Sequence, residues 1–124
     1  MANPFVHVEL QTHDAVAAKD FYGRLFGWSL KDEPMPSGHG TYTMIGVGDG
    51  TGGGIYSNPD AQAPACWLAY VGVDDIVAAT ARARELGATI TVDCVKVGDF
   101  GWMSVFVDPA GATLALWQSH GSEA

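Results

Sequence analysis

The sequence predicts an α+β fold built from two βαβββ modules, and three observations predict it. Only two stretches read as helices, Asp14 to Trp28 and Asp74 to Leu86, and each is preceded by one strand-like run and followed by three more. Glycine, proline and asparagine punctuate the chain between these runs. The helix opening is also written twice: Asp14-Ala15-Val16-Ala17-Ala18 returns 61 residues later as Asp75-Ile76-Val77-Ala78-Ala79, and Phe26-Gly27 returns as Leu86-Gly87. Each half is then a sheet with a helix on one face. Neither half buries much apolar surface alone, so the two sheets are expected to associate as a curved mixed sheet with the helices outside and a shared groove. The modules cover residues 4–57 and 64–118 of a single domain of 124 residues.

The elements follow in order. Pro4 to Gln11 is a strand in which Val6, Val8 and Leu10 alternate with Phe5, His7, Glu9 and Gln11. The aliphatic set should meet the helix, and the set holding both ionisable groups should face the other way. Thr12 and His13 turn into the helix, which Asp14 caps and Gly27 ends. Its expected apolar face is Val16, Phe21 and Leu25, with Ala17, Tyr22 and Phe26 one step round. Trp28–Glu33 is a short strand, Pro34–Gly40 a loop that carries His39, and Thr41–Val47 a strand. Gly48–Gly54 (GDGTGGG) is a turn, Ile55–Ser57 a fourth strand, and Asn58–Pro64 the best linker. Cys66–Val73 is a strand, Asp74–Leu86 the second helix, and Ala88–Val97, Trp102–Val107 and Thr113–Gln118 the last three strands. The tail from His120 should fray.

Composition excludes several function classes. Hydrophobic residues make up 48% of the chain, enough for a core, yet no apolar run approaches the roughly 20 residues of a membrane span. The N-terminus has no basic region followed by an apolar one, so no signal peptide is expected. Net charge is −8, which argues against a nucleic-acid partner. Cys66 and Cys94 read as reduced thiols in a cytoplasmic protein.

The duplicated order, FYGRLFGW in the first helix, VGVDDI opening the second, and VDPAGATLALW at the end together resemble the vicinal oxygen chelate superfamily. That superfamily includes glyoxalase I, bleomycin-resistance proteins, fosfomycin-resistance enzymes and extradiol dioxygenases, and the resemblance runs from about Phe5 to Trp117. It implies a homodimer with grooves at the interface. It also implies where metal ligands would stand. His7 matches the first-strand histidine of the fosfomycin-resistance type. The second histidine falls on Leu68, and the last-strand glutamate on Ala115. Leucine and alanine offer no lone pair, so the family's metal site cannot assemble in the usual manner and no cofactor is expected.

Two constellations carry the candidate chemistry. His7 and Glu9 sit two apart on a strand and point the same way, either as a general base with its orienting group or as a structural pair. A divalent metal held by both with a third group, such as Gln118 or a partner-chain residue, is a further option. His13 and His120 read as solvated. The second constellation is aromatic: Tyr42, Tyr56, Trp67, Tyr70, Trp102, Phe106 and Trp117 suit either a groove for a flat apolar molecule or core packing. Tyr70 shares a face with Leu68, and Trp117 with Ala115. Together with Tyr56 and Trp102, these form the expected ligand-binding set. GDGTGGG lacks a following lysine and helix and is no phosphate cradle. Two functions stay open. One is a metal-independent protein of the bleomycin-resistance type that holds an apolar or aromatic ligand. The other is a glyoxalase-like lyase or isomerase that moves a proton with His7 and Glu9, with or without a divalent metal.

Overall fold

A computed structural model describes residues 2–35, 40–60 and 62–122. His39 and the middle of its loop lie outside the described residues. The chain forms two compact units, His7–Leu68 and Met1–Val6 with Ala69–Ala124. The fold is α+β with the βαβββ order written twice: β1 (Phe5–Thr12), α1 (Ala15–Phe26), β2 (Ser29–Pro34), β3 (Thr41–Gly46) and β4 (Gly53–Ser57), then β5 (Cys66–Gly72), α2 (Ile76–Glu85), β6 (Thr89–Val97), β7 (Gly101–Val107) and β8 (Thr113–Ser119).

In the first unit the strands lie in the order β2-β3-β4-β1, with β1 and β4 parallel and the other pairs antiparallel. The second unit repeats this as β5-β8-β7-β6, with β5 and β8 parallel. Both helices start on an aspartate: Asp14 Oδ1 accepts the Ala17 N–H at 3.0 Å, and Asp75 Oδ1 accepts the Ala78 N–H at 3.1 Å. Gly27 ends α1 in the left-handed region, at φ +69°, where its N–H reaches the Gly23 carbonyl at 2.9 Å. A short 3-10 turn, His120–Ser122, follows β8.

The helix face differs from the expected one. Leu10, Ile45 and Ile55 form the first unit's core, and α1 covers it with Ala15, Ala18 and Tyr22. Val16 is 74% exposed, and Phe21, Leu25 and Phe26 are exposed as well. The inward stripe of Ala15, Ala18, Lys19 and Tyr22 returns 61 residues later as Ile76, Ala79, Thr80 and Ala83 on α2. The duplication therefore marks the buried face better than hydrophobicity does. The polar members of the two stripes differ. Lys19 ion-pairs with Asp32 at 3.1 Å, and Asp32 accepts from Thr43 at 2.6 Å. Thr80 bonds Ser104 at 2.8 Å, and both side chains are fully buried.

Two strands also depart from expectation. β4 starts two residues early, at Gly53, because Gly52 and Gly53 lie against backbone. A Cβ on Gly53 would stand 1.9 Å from the Val8 carbonyl oxygen, and one on Gly52 2.7 Å from that of Ile45. The glycine run is thus partly strand rather than all turn. β6 is interrupted by register shifts between Ile90 and Val95, where Cys94 takes a positive φ of 51°.

Candidate functional site

The alternation of β1 separates its side chains as expected. Leu10 joins the core under α1, while His7, Glu9 and Gln11 stand on the opposite face. The parallel register sets Glu9 beside Gly54 and Gln11 beside Tyr56, so Tyr56 shares this face. The site is closed by a residue outside the expected set, Tyr42 of β3. Its hydroxyl lies 2.8 Å from His7 Nε2 and donates to Glu9 Oε1 at 2.9 Å. With the phenol proton directed at Glu9, the His7 contact is satisfied by the Nε2–H tautomer donating to Tyr42 Oη. Gln11 Nε2 donates to Glu9 Oε2 at 2.9 Å, and Cys66 Sγ lies 3.7 Å from Gln11 Oε1. The result is one continuous chain of polar contacts, His7–Tyr42–Glu9–Gln11–Cys66.

Tyr42 reaches β1 by crossing β4. The crossing is possible because residue 54 is glycine: a Cβ there would stand 2.1 Å from the Tyr42 ring and hydroxyl. Glu9 is only 8% exposed, and a buried carboxylate needs donors on both oxygens, which Tyr42 and Gln11 supply. Burial pushes the His7 pKa below its ordinary value, against the pull of the Glu9 carboxylate, which raises it. His7 is therefore held toward the neutral form, whose Nε2–H tautomer the hydrogen-bond chain accommodates. Nothing in the sequence spacing pointed to Tyr42. The signal that could have found it was Gly54, the last glycine of GDGTGGG, once that glycine is read as a strand residue beside Glu9.

The 61-residue offset carries His7, Glu9, Tyr42, Gly54 and Tyr56 onto Leu68, Tyr70, Met103, Ala115 and Trp117. The register agrees, since Glu9 pairs with Gly54 and Tyr70 with Ala115. Tyr70 and Trp117 meet edge to face at 6.5 Å, and Ala115 is fully buried. The second βαβββ repeat thus has Leu68, Tyr70 and Met103 where the first has His7, Glu9 and Tyr42. Trp102 departs from the expected ligand-binding set. It pairs with Gln118 in the register and so lies on the face opposite Trp117, against α2, stacked on His120 at 5.5 Å. Gln118 is on that same helix side, where its Oε1 accepts the Ile76 N–H at 2.7 Å. His13 Nε2 contacts the Ala63 carbonyl in the first unit.

Donor chemistry decides what the family's metal positions can hold. Leu68 and Ala115 supply no lone pair, and His7 and Glu9 are bound through Tyr42. Among the described residues no group of three His, Cys, Asp or Glu is placed to hold a metal ion. Among the described residues, no helix is long and apolar enough to cross a membrane.

Residues 5–116 match the family model of the Glyoxalase/Bleomycin resistance protein/Dioxygenase superfamily. The protein CFP32 of Mycobacterium bovis, described provisionally as a glyoxylase, is 37% identical over 116 residues, which is 91% of this chain and 44% of that protein. The anthracycline biosynthesis protein DnrV of Streptomyces peucetius is 32% identical over 123 residues, covering 89% of this chain and 45% of its own. The chain thus spans less than half the length of these curated relatives. Among solved structures, the hypothetical protein BH1468 of Bacillus halodurans superposes with a TM-score of 0.75 at 14% identity, over 96% of both chains. Methylmalonyl-CoA epimerase of Mycobacterium tuberculosis gives 0.67 at 15% identity, over 93% of this chain and 87% of its own. At such identities the likeness is one of fold.

Proposed function

Because this chain belongs to the glyoxalase/bleomycin resistance protein/dioxygenase superfamily, we propose that it binds an apolar or aromatic small molecule without a metal, on the sheet face that presents His7, Tyr42, Glu9 and Tyr56. One observation carries this reading. The positions where relatives of the metal-dependent type place ligands hold Leu68 and Ala115, while His7 and Glu9 are tied to each other through Tyr42. A polar chain held in place among aromatic rings gives a flat ligand both a stacking surface and directed hydrogen-bonding groups. The name of DnrV adds a ligand class, since an anthracycline is a planar aromatic compound. Many such compounds carry an amine, and the net charge of −8 favours capture of a cation.

The test is titration with an anthracycline, followed by tryptophan fluorescence, with the ligand recovered and chromatographed afterwards. Saturable binding, unchanged ligand and an affinity reduced about fivefold by Tyr42→Phe are expected, the loss corresponding to one hydrogen bond. Failure to bind, or binding unaffected by Tyr42→Phe, overturns the reading.

A second reading has its own observation: His7, Tyr42 and Glu9 form an unbroken chain along which a proton could move. A lyase or isomerase of the glyoxalase-like type would consume its ligand and lose that turnover on Glu9→Gln. A cytoplasmic homodimer completes the proposal. The free thiols Cys66 and Cys94 and the exposed Phe21 and Leu25 support it, and light scattering in solution tests the dimer.

A further inference from the structure

We propose that Glu9 is the counter-ion for a positively charged ligand, so that the compound taken by this face is an aromatic ammonium ion rather than a neutral flat molecule; this rests on the binding reading above. A carboxylate is costly in that place. Glu9 is 8% exposed, and an ion drawn out of water loses most of its solvation. The fold does not require it. The equivalent residue 61 positions on is Tyr70, which is 5% exposed and pairs with Ala115 as Glu9 pairs with Gly54. The same strand position thus takes an aromatic side chain in one repeat and a buried charge in the other. A buried charge that folding does not need marks a binding position.

The surroundings of that charge define its ligand. The two Glu9 oxygens accept from Tyr42 Oη and Gln11 Nε2, each at 2.9 Å, and both donors are neutral. Burial holds the imidazole of His7 toward its neutral form as well. These groups orient the carboxylate without cancelling its charge. A neutral ring laid on this face strips water from Glu9 and returns nothing for it. An anion is repelled. An ammonium group returns a charge-assisted hydrogen bond. A carboxylate has about four acceptor sites, so an ammonium N–H is accepted with the Tyr42 and Gln11 bonds intact. Tyr56, half-buried and beside Gln11 in the register, gives the ligand's rings an aromatic neighbour on the same face.

The test compares an anthracycline that carries an amine with the same compound acetylated on that nitrogen, which removes the charge and leaves the rings. Fluorescence titration of the whole chain gives both dissociation constants. Expected is at least about tenfold tighter binding of the amine, the gain of one charge-assisted hydrogen bond. Glu9→Gln should bring the two affinities within about twofold of each other, chiefly by weakening the amine. Glu85→Gln removes one charge from an exposed side chain and should keep the preference. If Glu9→Gln fails to fold by circular dichroism, wild type at about 1 M salt decides, because the screening length is then about 3 Å. A preference that survives comes from contact; one that vanishes comes from the overall charge of −8 and overturns the assignment. Equal binding of both compounds by wild type overturns the counter-ion and leaves the aromatic-binding reading standing. A preference retained in Glu9→Gln, or lost equally in Glu85→Gln, does the same. Binding of neither compound overturns both.

Discussion

Tyr42 lies over Gly54, and only the missing side chain at residue 54 lets its hydroxyl stand between His7 and Glu9. A position in one strand thereby sets the chemistry of its two neighbours. The dependence is testable as a cycle. Tyr42→Phe removes a donor from a buried carboxylate and should cost about 1–3 kcal/mol. Gly54→Ala should cost a similar amount, because the added methyl displaces the ring. Since both changes break the same bonds, the double variant should lose much less than the two losses summed. Urea unfolding midpoints measure all three, and strict additivity would show that Gly54 acts independently of Tyr42.

The His7 pKa carries a sign that stability should follow. Burial lowers it from 6.5 in the folded state, so the unfolded chain binds more protons as pH falls below that value. The contribution is complete above the unfolded pKa and is lost as pH drops through the folded one. Wild type should therefore lose stability more steeply than His7→Gln as pH falls below 6.5. Glu9→Gln should lower the His7 pKa further, because the carboxylate is what raises it. Imidazole chemical shifts followed against pH report that directly, and a rise would contradict the assigned causes.

Much of this architecture was legible, and the reason is repetition. Asp14 and Asp75 cap equivalent helices, and the same offset relates Thr43 to Ser104 and Gly54 to Ala115, so two weak readings reinforce one another. The face shared by His7 and Glu9 was also legible, because strand alternation leaves little choice. Tyr42 was not. It is 33 residues from Glu9, and what brings it in is strand order and a glycine acting as empty space. Trp102 lies on the side opposite Trp117 because its face is set by the register with β8, which an aromatic residue does not announce.

The helix face was misread for a different reason, and this too can be measured. Hydrophobicity favoured Val16, Phe21 and Leu25, yet α1 meets the sheet through Ala15, Ala18 and Tyr22, small residues that let the helix approach closely. Tyr22 packs edge to face on Trp67 at 5.3 Å and stacks with Trp28 at 5.8 Å. Tyr22→Ala should cost roughly 2 kcal/mol or more, whereas Phe21→Ser or Leu25→Ser should fall within about 0.5 kcal/mol of wild type. Denaturant midpoints at low protein concentration separate the two cases. A loss at Phe21 or Leu25 that appears as protein concentration rises is the expected sign that those side chains lie in the proposed subunit interface.

The metal-free reading makes a sharp thermal prediction. His7 Nε2 and both Glu9 oxygens are already engaged, so moving them onto a cation would break contacts with Tyr42 and Gln11 to gain two ligands. Firm protein sites usually supply three or more. Zn²⁺, Ni²⁺, Mn²⁺ and Fe²⁺ should therefore leave the melting temperature unchanged. A cation bound at 100 times its dissociation constant would add about 2.7 kcal/mol, a shift of several degrees in a chain of this size. Such a shift, present in wild type and absent in His7→Ala, would mean that the polar chain opens to accept a metal. The lyase or isomerase reading would then replace simple binding.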